Sequence, residues 1–391
     1  MRTIKLALRN LFGAGLRTWL NVFVLSMAFV MIIFFRGFLS GWDHQAKHDM
    51  IEWEIGESQF WQETYDPFDP FTLNESHAEI PEQYNQLIDD GEMTPVLITQ
   101  GTIYPDGRMQ SVLLKGISTR NNVIALPTDM LDTEGEEINA IIGTVMAKNS
   151  KLKEGDYVVL RWRDVHGTFD AVEIKIAAIF DCDVPSVDAG QIWIPLQSLQ
   201  QMMGTPNEAT ILISGVDHAE EAHPAGWIFK SQHDLLSDIE ELIKTKSIGG
   251  SIMYVILMLL AMLAIFDTQV LSIFRRQREI GTFVALGMTR GEVVRMFTVE
   301  GAMHAVLAMI AGAIYGIPLF WFMATKGIAF PVEATQDFGV ALADVIYPVF
   351  SLMLIIGTAL LVLITTAIVS WIPARKISRM KPTDAIRGKL Q

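Results

Sequence analysis

The sequence predicts an α-helical membrane protein with four transmembrane helices and an extracytoplasmic α+β domain between the first and second. Three observations predict this. Four windows, residues 19–42, 252–274, 303–322 and 346–371, are apolar throughout, and about 20 such residues suffice to cross a bilayer. Lysine and arginine gather in alternate inter-helical segments. The stretch from 41 to 247 is strongly acidic and lacks any comparable apolar run.

The first window carries a tryptophan at each edge, Trp19 and Trp42, where an interfacial aromatic belt sits. The second and third contain only Asp267 and His304 as charged or near-neutral titrating groups. Cytoplasmic loops are enriched in Lys and Arg, and that rule orients the chain. Residues 1–19 hold Arg2, Lys5, Arg9 and Arg17 with no acid, and the tail from 372 holds six bases against Asp384. The loop from 323 to 344 carries Lys326 against Glu333, Asp337 and Asp344. Both termini are therefore expected in the cytoplasm. The expected layout is a cytoplasmic amphipathic segment at 1–18, spans at 19–42, 248–274, 301–322 and 345–371, an extracytoplasmic domain at 43–247, a cytoplasmic loop at 275–300, a short external loop at 323–344 and a basic tail at 372–391.

The external stretch has 13 Lys+Arg against 36 Asp+Glu, which repels nucleic acid and anionic head groups. Its single cysteine, Cys182, excludes an internal disulfide framework, so packing must hold the domain together. The first apolar run is too long for a cleaved leader and is expected to remain as an anchor. Runs at 96–104 and 108–116 flank Pro105-Asp106-Gly107 and predict a hairpin. A second pair is expected at 157–162 and 169–180 around Gly167, and short helices at 82–90, 144–150 and 196–203. A helix at 234–244 feeds into the second span, a continuity that would pass domain motion into the membrane. Residues 61–77, with four aromatics, two prolines and no periodicity, read as an exposed loop, either a flexible link or a contact surface.

Catalytic readings find little support. His44 and His48 have the i, i+4 spacing of two metal ligands, but no third ligand lies nearby and no metal site is expected. No nucleophile elbow, zinc-protease helix or catalytic triad signature appears. No G-x-x-x-x-G-K-[ST] loop is available to cradle nucleotide phosphates, so any ATP-derived work is expected from another polypeptide. No cofactor is implied. Arg36 and Asp267, near or within spans, are explained by anchoring or by a role in gating. Ala308, Gly312 and Gly316 form a small-residue strip in the third span, which permits close helix approach within the subunit or against a second copy.

The most informative segment is the connector, 275–301, read as a polar, partly basic helix between two apolar runs. Its pattern R-x-R-E-I-G-x-x-x-A-L-G-M-T-R-G-x-V-x-R-x-F-x-x-E-G starts at Arg276 and ends at Gly301. It resembles the cytoplasmic signature of the FtsX-like, MacB-type ABC transporter permeases, a superfamily that includes the lipoprotein-releasing permeases. The N-terminal A-L-R-N-L (7–11), the C-terminal I-P-A-R-K and K-P-T-D-A-I-R, and the external phrase 141–156, similar to a MacB-like periplasmic core, carry the same resemblance. Asp267 departs from it, since relatives tend to have a neutral polar residue there.

The resemblance implies a non-catalytic permease of the bacterial inner membrane whose connector is an ATPase-coupling helix. Arg278, Glu279, Ile280, Gly281, Ala285, Leu286, Gly287, Met288, Thr289 and Arg290 would form the docking surface for a separate ABC ATPase subunit. Four spans are too few to enclose a route alone, so a second copy or sibling permease is expected. Family members work by mechanotransmission, and the size of the external domain resembles that of the lipoprotein-releasing and MacB-type members, which implies export or release of lipoproteins or another amphipathic substrate, with a lipoprotein or a periplasmic adaptor as further partner. The alternative is an FtsX-like signalling scaffold that activates a cell-wall hydrolase and transports nothing.

Overall fold

The computed structural model describes residues 16–132, 135, 137–218, 224–329 and 345–377. The A-L-R-N-L run, Glu333, Asp337, Asp344 and the tail from 378 onward lie outside these described residues. The chain divides into two compact units: Met1–Trp42, Leu242–Ile328 and Ile346–Gln391 form one, and Asp43–Glu241 with Ala329–Val345 the other.

Four helices dominate the first unit: α1 (Leu16–Met50), α6 (Gln232–Arg275), α8 (Arg290–Lys326) and α9 (Leu352–Ile377). Each contains a stretch long and apolar enough to cross a membrane, namely Trp19–Ile55, Ser247–Ser272, Arg290–Lys326 and Leu352–Lys376. Val22, Phe29 and Ile33 of α1 pack with Ala261 and Ile265, Ala305 and Ala308, and Val362 of the other three. The opposite faces are apolar as well, with Leu20, Phe23, Leu259, Leu263, Ile314, Trp321 and Ile364 exposed. A helix hydrophobic all round needs an apolar surrounding.

Two helix ends differ from the sequence expectation. The fourth apolar window opens at 346, whereas α9 starts at Leu352. Pro348, which lacks an N–H and biases the residue before it towards extended backbone, falls in the gap, and the Ser351 hydroxyl accepts from Leu354 N at 3.2 Å to start the helix. At the other extreme α1 continues past Trp42 to Met50 and then into a π-turn, Ile51–Ile55.

The second unit is β-rich. Its strands are β1 (Ser58–Gln62), β2 (Ala78–Glu79), β3 (Met93–Ile103), β4 (Gln110–Ile117), β5 (Ile138–Gly143), β6 (Tyr157–Arg163), β7 (Phe169–Phe180), β8 (Gln191–Pro195), β9 (Glu208–Ala209), β10 (Ile211–Ser214) and β11 (Trp227–Ser231). Short helices α2 (Asn85–Asp89), α3 (Thr144–Ser150), α4 (Pro185–Gly190) and α5 (Leu196–Met203) lie between them. Nine strands form one sheet in the order β11-β1-β10-β3-β4-β8-β5-β7-β6, and β6 pairs back onto β3. Six strands, β3-β4-β8-β5-β7-β6, thus close into a ring, and β10, β1 and β11 extend from it as a flap. The ring mixes antiparallel pairs with parallel β4–β8 and β5–β7.

Strand periodicity explains the core. In β6, Val158, Leu160 and Trp162 are buried while Tyr157, Val159, Arg161 and Arg163 face out, the period of two that a pleated strand imposes. The inward residues Leu97, Ile103, Val112, Leu114, Ile142, Ile174 and Ile192 fill the ring, with Met146 of α3 and Leu199 and Met203 of α5 packed against them. A second cluster, including Val96, Ile98, Ile141, Phe180, Trp193 and Ile213, lies on the outer face.

Both hairpins form where the sequence places them. β3 and β4 pair from Val96↔Ile117 to Ile103↔Gln110, turning through Asp106 and Gly107 at φ 50° and 74°. The segment 61–77 is largely the exposed loop expected, with Phe68 and Phe71 on its surface, but it is rooted at both ends. Trp61 lies in β1, Tyr65 packs edge-on to it at 5.1 Å, and Leu73 and Ser76 are buried.

Candidate functional site

The connector is not one helix. It is α7 (Gln277–Ala285) and the start of α8, separated by a sharp turn at Leu286, Gly287, Met288 and Thr289. Gly287 adopts φ 102°, where a Cβ would be strained, so the first helix stops there. Thr289 is extended and begins the next with a capping box: its hydroxyl accepts from Glu292 N, and the Glu292 carboxylate accepts from Thr289 N at 2.8 Å. Such a cap is worth about 1 kcal/mol.

The two helices are locked together by one arginine. Arg276 Nε donates to Glu279 Oε2 at 2.9 Å, and Nη1 donates to Glu300 Oε2 at 3.0 Å, with the guanidinium over the Phe297 ring at 5.2 Å. The Glu300 side chain is only 8% exposed, so the pair satisfies a charge that would otherwise be costly to bury. Beneath it Ile280, Val293, Met296, Phe297 and Ala374 form a small apolar core, with Val284 and Met288 against it.

The ten expected coupling residues therefore divide. Ile280 and Gly281 are buried and Met288 half-buried, so they fix the turn from inside. Glu279, Ala285, Leu286, Gly287, Thr289 and Arg290 are exposed, and Leu286 is 80% exposed. Arg278 lies on α7 next to Glu279. The result is an apolar side chain held at the apex of a rigid hairpin, flanked by charged groups. It offers a contact surface and no reacting group.

Immediately beyond, three helices meet. A Cβ on Gly301 would lie 1.9 Å from Ser370 Oγ and 3.3 Å from Gln269 Nε2, so only glycine admits this crossing of α8, α9 and α6. His304 Nδ1 donates to the Glu300 carbonyl at 3.1 Å one turn later. The small-residue strip packs on α1: a Cβ on Gly312 would stand 3.1 Å from Phe29 Cδ1, and on Gly316 3.1 Å from Val30 Cγ2, while Ala308 is buried. Tyr315 adds a hydrogen bond to Ser26 Oγ at 3.2 Å. Arg36 and Asp267 are both exposed on their helices.

Arg276, Phe297, Glu300 and Ser370 are absent from the ten residues that sequence reasoning selected. Arg276 and Glu300 stand at 24 residues' separation, outside any helical neighbour spacing. Their only sequence signal is their place at the two ends of the connector pattern.

In the β-rich unit, Cys182 is buried. Burial pushes its thiol up to about 12, the behaviour of an inert packed group. His48 Nε2 stands 3.5 Å from Glu52 Oε2.

Residues 251–382, about a third of the chain, match the family described as FtsX-like permease C-terminal. The lipoprotein-releasing system transmembrane protein LolC of Xylella fastidiosa (strain Temecula1 / ATCC 700964) is 21% identical over 306 residues, covering 72% of this chain and 74% of LolC. The macrolide export ATP-binding/permease protein MacB of Escherichia coli (strain K12) is 24% identical over 212 residues, 50% of this chain and 30% of MacB. The extracellular domain of the noncanonic ABC-type transporter YknZ from Gram-positive bacteria aligns with 47% of this chain and 94% of its own length at 17% identity. Its TM-score of 0.27 is too low to bear on the fold.

Proposed function

We propose that this chain is the transmembrane subunit of an ABC transporter that drives export or release of a lipoprotein or another amphipathic substrate. In this reading the four apolar helices span the inner membrane with both termini in the cytoplasm. The β-rich unit, 43–247 in the sequence layout, lies in the periplasm, and 275–300 docks into a separate ATPase subunit. A second permease, identical or sibling, completes the assembly.

The observation that carries the reading is the apex of the connector. Leu286 is 80% exposed on a turn immobilised by the Arg276 clamp and the Thr289 cap, and a rigid exposed apolar side chain rimmed by charge is the anatomy of a docking anchor. The acidic composition of 41–247 and the basic composition of the segments assigned to the cytoplasm support the orientation. The name of the relative LolC supports a lipoprotein as substrate.

The test exploits the single buried cysteine. A Leu286→Cys substitution places one accessible thiol at the apex, and oxidative cross-linking to cysteines introduced across a candidate ATPase should yield an adduct sensitive to nucleotide. Proteoliposomes holding the assembled complex should release labelled lipoprotein on ATP addition. Capture of a soluble cell-wall hydrolase with no ATP-driven release would instead favour the signalling scaffold. Absence of any cross-link from Leu286, Arg290 and Glu279 positions would overturn the docking assignment.

A further inference from the structure

Residues 61–77 carry two copies of one tripeptide, Asp66-Pro67-Phe68 and Asp69-Pro70-Phe71. Each aspartate folds its own copy: Asp66 Oδ1 accepts from Phe68 N at 2.9 Å, and Asp69 Oδ1 accepts from Phe71 N at 3.0 Å. The copies are chained through Asp69 N to the Asp66 carbonyl at 3.2 Å and Thr72 N to the Asp69 carbonyl at 3.1 Å. Both ends are rooted, by Tyr65 against Trp61 and by buried Leu73 and Ser76. Yet Phe68 is 79% and Phe71 91% exposed. A soluble surface rarely spends ordered backbone on displaying two large rings to water, and such displayed apolar groups mark interaction sites.

The surroundings constrain what covers them. Glu63, Asp66, Asp69 and Glu75 lie in the same segment, no lysine or arginine occurs between Lys47 and Arg108 in the sequence, and Lys230 of β11 is held at the segment's root over the Trp61 ring at 5.2 Å. An anionic lipid surface is repelled by such a loop. Two rings fixed three residues apart on a stiff turn suit paired pockets in a folded partner, where little ordering entropy is lost on docking.

We propose that the tandem Asp-Pro-Phe turn is a docking epitope for a soluble extracytoplasmic protein whose binding cleft has an apolar floor and a rim of lysine and arginine. The two phenylalanines enter the floor, and the acids face the rim. This requires only that the β-rich unit meets the aqueous phase, and is independent of how the connector engages an ATPase.

The experiment uses the full chain in its membrane. A photo-reactive benzoylphenylalanine replaces Phe71, cells are irradiated, and the adducted protein is identified, purified and titrated against the full chain in phosphatidylcholine nanodiscs. The affinity is expected to fall about tenfold or more with Phe71→Ala or Phe68→Ala, and about tenfold as salt rises through the range where the Debye length shrinks from about 10 Å to about 3 Å. Asp66→Asn with Asp69→Asn retains a side-chain acceptor for each turn and removes the charge. This variant should leave the circular dichroism spectrum unchanged and weaken binding about tenfold. The proposal is overturned if the adduct is lipid or a second copy of this chain, if no adduct forms, if the full chain binds phosphatidylglycerol vesicles through Phe71, or if the identified protein binds the alanine variants equally well.

Discussion

Arg276 and Glu300, 24 positions apart in the sequence, meet at 3.0 Å. Breaking such a pair by removing one partner leaves a buried charge uncompensated, at a cost of about 3–5 kcal/mol. Arg276→Met should therefore lower the stability of the purified chain in nanodiscs by several kcal/mol, and Glu300→Leu should do likewise. The double variant should recover much of the loss, since neither charge is then stranded. A double variant as unstable as the sum of the singles would mean that the two side chains act separately.

The turn at Gly287 makes a second, independent prediction. Because its φ of 102° is barely open to residues with a Cβ, Gly287→Ala should cost about 1 kcal/mol or more. The effect on coupling should exceed the effect on stability, because Leu286 at the apex is displaced. ATPase stimulation by the reconstituted complex, compared with thermal stability of the same variant, separates the two. Equal wild-type values of both would place the strain elsewhere.

Gly301→Ala puts a methyl group 1.9 Å from Ser370 Oγ. Overpacking of this kind costs about 1–3 kcal/mol. Adding Ser370→Gly should restore stability in part, whereas Ser370→Ala should not, because Ser370 Cβ itself would stand 2.3 Å from the new methyl. Rescue by Ser370→Ala would show that the helices simply move apart.

Cys182 provides a pH prediction. Burial raises its thiol from 9.0 to about 12, so the native state holds the proton more tightly than the unfolded chain does. Stability from this group is complete below pH 9.0 and declines as pH climbs from there towards 12. At pH 8 the native chain should resist maleimide labelling, and labelling should rise only with unfolding. Rapid labelling of the folded protein at pH 8 would contradict the buried placement.

What could be read in the sequence and what could not follows the range of the interactions. The hairpins and the helices at 144–150 and 196–203 were legible because their signals, Pro105-Asp106-Gly107, Gly167 and Gly204, act within a few residues. Ring closure was not, because Leu113↔Gln191 and Gly101↔Trp162 join positions dozens of residues apart with no local chemistry announcing them. In the connector, residue types pointed to a docking segment, but its break needed a backbone angle at Gly287. The rigidity of 61–77 was hidden for a related reason: aperiodic sequence also arises when side chains, not a helix or ladder, satisfy the backbone, as Asp66 and Asp69 do.

The closed ring of six strands divides the β-rich unit into a stiff and a pliant part. Peeling any ring strand away must rupture pairings along both its edges at once, whereas the flap hangs from β3 through four registered positions, Met93 to Val96 opposite Ser214 to Ile211. Force delivered to this unit would therefore leave the ring undistorted and expend itself in swinging β10, β1 and β11. The segment bearing Phe68 and Phe71 follows directly from β1 and is tied back at Leu73 to the cluster that holds Val96 and Ile98 of β3.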